Sequence, residues 1–272
     1  MSLAAASPLV LVGAGKMGSA MLDGWLEQGL APAGVTLVDP GAGDHLKDYL
    51  ARGATHVARA GEVSVVPAVV ILAVKPQMMA EVLAEVRPIF GPETLVVSVA
   101  AGTTLAALEA GLGAAAIVRV MPNTPAQVGR GMSVCVGNDK VGEEGRALVT
   151  ALMSAVGETA WIDDEALIDA VTGVSGSGPA YVFLMAEVLA EAGRAAGLPD
   201  ELAARLARQT VVGAGELLRL SPLDPATLRQ NVTSPNGTTF AALQVLMGEG
   251  GMKPLMEKAV AAATARSREL AG

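Results

Sequence analysis

Two glycine-rich stretches of this chain have spacings that could hold a phosphate: "VLVGAGKMGSAM", with Gly13, Gly15 and Gly18, and "TGVSGSGPAY", with Gly173, Gly176 and Gly178. The first is G-x-G-x-x-G, directly after a β-branched apolar run and at the start of the helical-pattern segment "KMGSAMLDGWLEQG". In that setting Gly13 allows the tight turn, Gly15 lets a pyrophosphate approach the backbone and Gly18 lets helix and strand pack closely. The phosphates then sit on the helix N-terminus, where Lys16 and Met17 stand. This context predicts a dinucleotide site.

Asp39 ends the next β-branched run, 21 residues beyond Gly18. A carboxylate there accepts hydrogen bonds from the adenosine ribose and repels a 2′-phosphate, which favours NADH. It also suits a turn ahead of Pro40, and no arginine follows at once to receive a 2′-phosphate. Three later loops are expected to line the same crevice at the strand C-termini. They are "AVKPQ" with Ala73, Val74, Lys75 and Pro76, "SVAAGTT" with Ala100 and Thr103, and "MPNTP" with Asn123. For each, a plain connecting loop is the alternative.

Hydride transfer to a ketone usually needs an acid for the forming alkoxide. The only histidines, His45 and His56, follow the second β run and read as surface residues, and the lone Cys135 reads as a small core residue inside a strand. The second glycine stretch has the spacing seen in β-hydroxyacid dehydrogenases, whose pattern continues with a catalytic Lys four residues after the last glycine and an Asn four later. Those positions are Val182 and Ala186 here. Reduction of a cyclic imine can do without a strong side-chain acid, because the substrate arrives partly as the iminium and needs chiefly orientation and desolvation.

The elements that must position these residues change character along the chain. Up to about residue 162, short β-branched runs (9–13, 35–39, 69–74, 94–100, 116–122, 132–137 and 159–163), several of them apolar almost throughout, alternate with Ala/Leu-rich segments of helical length. That pattern predicts a parallel, doubly wound sheet covered on both faces. From 163 the β signal stops, and segments at about 164–172, 179–196, 200–220, 224–231, 238–248 and 252–270 read as helices separated by "GLP", "SPLDP", "TSPNGTT" and "GEGG". The expected organisation is α/β: a dinucleotide-binding Rossmann-type domain over 1–162 and an all-helical domain over 163–272. The helix after Pro179 is apolar on nearly every face of its first two turns, so part of its cover is expected from another subunit.

Composition narrows the partners. A net charge of -8 and a pI near 4.9, with no Lys/Arg cluster, exclude the footprint that nucleic acid or an anionic membrane requires and leave a small-molecule substrate. One cysteine allows no intrachain disulfide and no multi-thiolate metal site, which fits a reducing cytoplasm, and no metal is expected. The N-terminal apolar run lacks a basic flank and ends in glycines, unlike a signal peptide, and "VVPAVVILAV" at 65–74 is too short to span a bilayer.

With these residues in view, the chain resembles the pyrroline-5-carboxylate reductases over essentially its whole length. "VGAGKMGSAM", "AVKPQ", "RVMPNTP", "DAVTGVSGSGPAYVF" and "NVTSPNGTTFAAL" carry the resemblance, in that order. It implies reduction of 1-pyrroline-5-carboxylate to L-proline with NADPH or NADH, the last step of proline biosynthesis. It further implies a Rossmann domain and a helical dimerisation domain interlocked with a partner, in many members within a decamer. By resemblance, Ser234, Gly237, Thr238 and Thr239 bind the substrate carboxylate, largely through backbone N–H groups at a helix start. Thr239 approaches the ring nitrogen, and Val232 packs the pyrroline ring. The loop comes from the partner subunit, so the active site is shared. One departure is Asn236, where the family usually has glycine; Asn tolerates positive φ better than other non-glycine residues.

"TGVSGSGPAY" then reads as the entry to a buried helix. Gly176 and Gly178 let the chain pass near nicotinamide and substrate, Pro179 fits the first turn, and Ser175 and Ser177 either cap the helix or touch ligand. The rival readings are a hydroxyacid or keto-acid dehydrogenase of the same architecture and a non-catalytic NAD(P)-binding protein.

Overall fold

Four-residue runs of Val, Leu and Ile become strands because a sheet covered on both faces accepts an apolar side chain at every position. The computed structural model describes residues 2–41 and 43–271, so Met1 and Gly272, the outer limits of the two expected domains, lie outside the described residues. The strands are β1 (Leu9–Val12), β2 (Val35–Val38), β3 (Thr55–Val57), β4 (Val69–Leu72), β5 (Leu95–Ser98), β6 (Ala116–Met121), β7 (Gly131–Gly137) and β8 (Gly157–Trp161). They form one sheet in the order β3-β2-β1-β4-β5-β6-β7-β8. The helices among them are α1 (Lys16–Glu27), α2 (Lys47–Ala51), α3 (Met79–Val86), α4 (Leu105–Leu112), α5 (Glu143–Ser154) and α6 (Ile168–Val171).

Alternate residues of β1 feed opposite cores. Leu9 and Leu11 pack with Met21, Leu22 and Trp25 of α1 and Leu152 of α5, while Val10 and Val12 pack with Leu83 and Val86 of α3 and Leu108 of α4. Each fully buried side chain of this size contributes about 1.5–3 kcal/mol. Trp25 satisfies its indole by donating to the Leu152 carbonyl at 2.8 Å. Cys135 lies buried in β7, and burial pushes its thiol up to about 12, so it is a core residue without nucleophile character.

Two features differ from the sequence expectation. The sheet is not wholly parallel: β7 runs antiparallel to β6, and β8 is parallel to β7. The link from β6 to β7 is a short 3₁₀ turn, Thr124–Val128, with no room for the crossover helix a parallel pair needs. The other is β3, an edge strand of Thr, His and Val paired with β2. His56 sits in it half-buried, not on the open surface, and its Nε2 donates to the Asp39 carbonyl at 2.9 Å; His45 is exposed.

The chain divides into two compact units, one running up to Gly176 and resuming at Thr264, the other Ser177–Ala263. Residues 163–176 therefore belong with the sheet. Glu165 accepts from Arg119 of β6 and from the Leu105 N–H that opens α4, and Asp169 accepts from Ser267 at 2.7 Å. The second unit is helical, with α7 (Gly178–Ala195), α8 (Asp200–Leu220), α9 (Pro225–Asn231), α10 (Thr238–Leu246) and most of α11 (Met252–Ala271). Among its described residues only Ala190, Ala203 and Ala207 are buried, whereas Phe183 is 68% exposed, with Leu184, Leu206, Leu217 and Leu255 also open. Three alanines are no core for a unit of this size, so the cover these helices need must come from outside the single chain.

Candidate active site

In the first unit, the glycine loop is built by steric exclusion. Gly13 leaves β1 at φ +90, a conformation L side chains rarely adopt, and a Cβ there would lie 2.8 Å from the Ala73 carbonyl. Gly18, buried in α1, faces the Gly13 carbonyl so closely that a methyl group has no space. Gly15 is different: it is the N-cap of α1, it is exposed, and a Cβ on it would meet nothing within 4 Å. No side chain caps α1 and no acid stands in its first turn, so its leading N–H groups are left for an anion.

The loop that leads into them borders a cavity of about 580 Å³ lined by Gly13, Gly15, Asp39, Ala73, Val74 and Lys75 among others, with Lys16 and Met17 outside that lining. A loop whose glycine is open to that cavity, with uncapped helix amides beside it, fits the pyrophosphate of a dinucleotide. Asp39 lines the cavity and is held by two backbone donors: Oδ2 accepts from the Ala14 N–H and Oδ1 from the Gly41 N–H, both at 3.1 Å. The second of these is a turn of the kind Asp makes ahead of a loop. Arg59, just past β3, lines the same cavity and did not stand out in the sequence, because the three-residue β3 ahead of it has no apolar run.

Of the remaining residues expected at the crevice, Lys16 and Met17 are the first two of α1, and Pro76 opens a 3₁₀ turn after Lys75. Ala100 and Thr103 are buried beyond β5. Asn123 works as a clasp: its Oδ1 accepts from the Met132 N–H at 2.8 Å, and its Nδ2 donates to the Ser175 carbonyl and hydroxyl at 3.3 and 3.2 Å. Ser175 lies in a π-helical turn, Thr172–Gly176, a rare conformation that is frequent at functional sites. A Cβ on Gly176 would meet the Met121 methyl at 2.5 Å.

The second unit holds the other group. Ser177 occupies the N-cap of α7 but makes no side-chain cap bond. Asn236 has φ 55, the only positive φ at a non-glycine among the described residues, so the departure from glycine keeps the turn. Gly237 donates to the Ser234 carbonyl at 3.0 Å and a Cβ on it would lie 3.2 Å from that oxygen. Gly237 is the N-cap of α10, and no side chain caps the helix. Thr238 and Thr239 are its first two residues, so their amides lead the helix with neither a side-chain cap nor an acid in the first turn. Val232 is 66% exposed in the same loop.

A dinucleotide-dependent oxidoreductase is the class this fold and cavity define. Over 271 residues the chain is 44% identical to the pyrroline-5-carboxylate reductase of Pseudomonas aeruginosa, an alignment covering 97% of this chain and 96% of that one. It belongs to the pyrroline-5-carboxylate reductase family. The family model for pyrroline-5-carboxylate reductase dimerisation matches residues 165–270, and that for NADP oxidoreductase, coenzyme F420-dependent, matches residues 8–102. Among solved structures, the pyrroline-5-carboxylate reductase of Coxiella burnetii superposes with a TM-score of 0.92 at 35% identity, covering 98% of this chain and 99% of that one. The pyrroline carboxylate reductase of Plasmodium falciparum, solved with NADP bound, has a TM-score of 0.82 at 29% identity, covering 98% of each chain. Among the described residues no helix is long and apolar enough to cross a membrane.

Proposed function

We propose that this protein reduces 1-pyrroline-5-carboxylate to L-proline with NADPH or NADH, the last step of proline biosynthesis, in the cytoplasm. The observation that carries the reading is the pairing in one chain of an uncapped glycine-loop helix on a dinucleotide-sized cavity with the loop 234–239 and its uncapped α10. A reduced nicotinamide supplies the hydride. The chain's own residues then bind and orient. The amides of Thr238 and Thr239, with the Ser234 hydroxyl, hold the substrate carboxylate, because a helix N-terminus favours an anion, and Gly237, whose own N–H is spent on the Ser234 carbonyl, shapes the turn that presents them. The Thr239 hydroxyl sets the angle of the ring nitrogen, and Val232 covers the apolar ring edge. No strong acid is needed where the imine enters as iminium, which suits a chain with Val182 and Ala186 where a ketone reductase carries Lys and Asn. Consumption of NADPH or NADH with 1-pyrroline-5-carboxylate, run beside a panel of keto acids, tests the reading; no turnover of the imine with either cofactor overturns it.

Two expectations follow from the second unit. Asn236→Val puts a β-branched residue at positive φ, which costs on the order of 1–3 kcal/mol and displaces the amides behind it. The KM for the imine should rise about tenfold or more, and an unchanged KM would mean that the carboxylate sits elsewhere. The exposed apolar residues of α7 and α8 support a homo-oligomer, and the family resemblance adds a homodimer with interlocked helical domains that shares its active sites, with a decamer as the larger form. Sedimentation equilibrium at micromolar concentration should give a dimer or larger, and monomer alone would sink the shared site.

A further inference from the structure

We propose that Arg59, and not Asp39, decides which dinucleotide this protein uses: its guanidinium binds a 2′-phosphate on the adenosine ribose and makes NADPH the preferred reductant. The inference rests on the dinucleotide reading of the glycine-loop cavity. Its starting point is the position of the cavity's two cations. Arg59 follows β3 and Lys75 follows β4, and in the order β3-β2-β1-β4 those strands are three spacings apart, about 14 Å. They belong to different stretches of the cavity rim. Lys75 stands with Ala73 and Val74, against which Gly13 packs, on the β4 side of the phosphate loop. A dinucleotide anchored by its pyrophosphate at the end of β1 sends its adenosine ribose towards the end of β2, where Asp39 stands. Arg59 is on the next strand over, the one place on the cavity where a positive charge adjoins that ribose.

Asp39 has a second task here. Each carboxylate oxygen accepts one backbone bond, Oδ2 from the Ala14 N–H of the phosphate loop and Oδ1 from the Gly41 N–H of its own turn, which leaves half of its acceptor sites for a ribose. Pinned between two donors, the carboxylate holds the loop to the end of β2 and has part of its charge offset. Its backbone is tied down too, since Asp39 donates to the Val57 carbonyl at 3.2 Å and accepts from His56. Arg59 has no such engagement. It is exposed and pairs with no carboxylate among the described residues, although Glu81 and Glu85 line the same cavity from α3. A guanidinium left unpaired on a cavity wall suits a phosphate, which it meets with two parallel N–H donors.

The test is calorimetric binding of NADP+, NAD+, 2′,5′-ADP and 5′-AMP to the full-length protein, without turnover. The wild type should bind NADP+ and 2′,5′-ADP at least about tenfold more tightly than NAD+ and 5′-AMP, the usual strength of a charge-assisted phosphate pair. Arg59→Ala should remove that advantage while changing NAD+ affinity by less than about threefold, and Arg59→Lys, keeping charge but losing the fork, should fall between. NADP+ affinity should weaken with added salt more steeply in the wild type than in Arg59→Ala. Equal loss of both dinucleotides in Arg59→Ala would assign the side chain to the adenine ring and overturn the inference, as would a wild type that binds NAD+ as tightly as NADP+. Failure of the wild type to bind either one would remove the dinucleotide reading itself.

Discussion

A Gly18→Val protein is expected to bind neither NADP+ nor NAD+ measurably and to melt well below the wild type. The new side chain would be driven into the Gly13 carbonyl, which is backbone and itself held at φ +90 against the Ala73 carbonyl. Nothing flexible can give way, so α1 must lift off β1, which costs at least about 1–3 kcal/mol of overpacking and unseats the amides that receive the pyrophosphate. Gly15→Ala separates the two consequences. Its Cβ meets nothing within 4 Å and the residue's φ of -70 suits alanine, so the melting temperature should stay put while dinucleotide affinity falls, because the methyl group stands where the phosphates approach. Thermal melts beside calorimetric titrations of both variants check this. A Gly18→Val protein that still bound with wild-type affinity would dissociate the glycine loop from the cofactor.

Arg119→Met carries the largest expected effect on stability. Arg119 lies in β6 with its side chain only 6% exposed, and its partner Glu165, 27% exposed, also accepts from the Leu105 N–H at 2.8 Å. Removing the cation leaves a mostly covered carboxylate with one amide for company. Breaking a buried pair from one side costs about 3–5 kcal/mol, and the partial exposure of Glu165 brings the expectation to roughly 2–3 kcal/mol, or about 4–12 °C in Tm for a unit of this size. The double variant Arg119→Met, Glu165→Gln should recover part of the loss, since it removes the stranded charge. A Tm within a degree or two of wild type for Arg119→Met would mean the pair contributes nothing to the fold.

The parts of the fold legible in the sequence are those set by local pattern. Runs such as "LVLV" and "VVIL" can only be strands buried on both faces, and "NVTSPNGTTF" stops one helix and starts another by proline and glycine chemistry alone. The residue types in the glycine loop announce a phosphate because φ and close approach restrict them one by one. Asn236 belongs here too, since its tolerance of positive φ is a property of the residue.

Other features depend on what lies beside them in space. β3 is a strand only because β2 offers it a ladder, and Arg59 reaches the cavity wall only because β3 lies there. The reversal at β7 follows from the length of one connection and not from the composition of either strand. A two-faced sheet headed by a phosphate loop, followed by helices too apolar to stand alone, is written in the order of the residues, because periodicity and the conformations open to single residues are enough to specify it. That Asp39 is pinned by the Ala14 and Gly41 amides, that Asn123 clasps Ser175, and that an unpaired Arg59 stands on the cavity wall emerges only on folding. Hydrogen-bond partners and charge neighbours are set by distances between strands remote in sequence, and no local pattern encodes those.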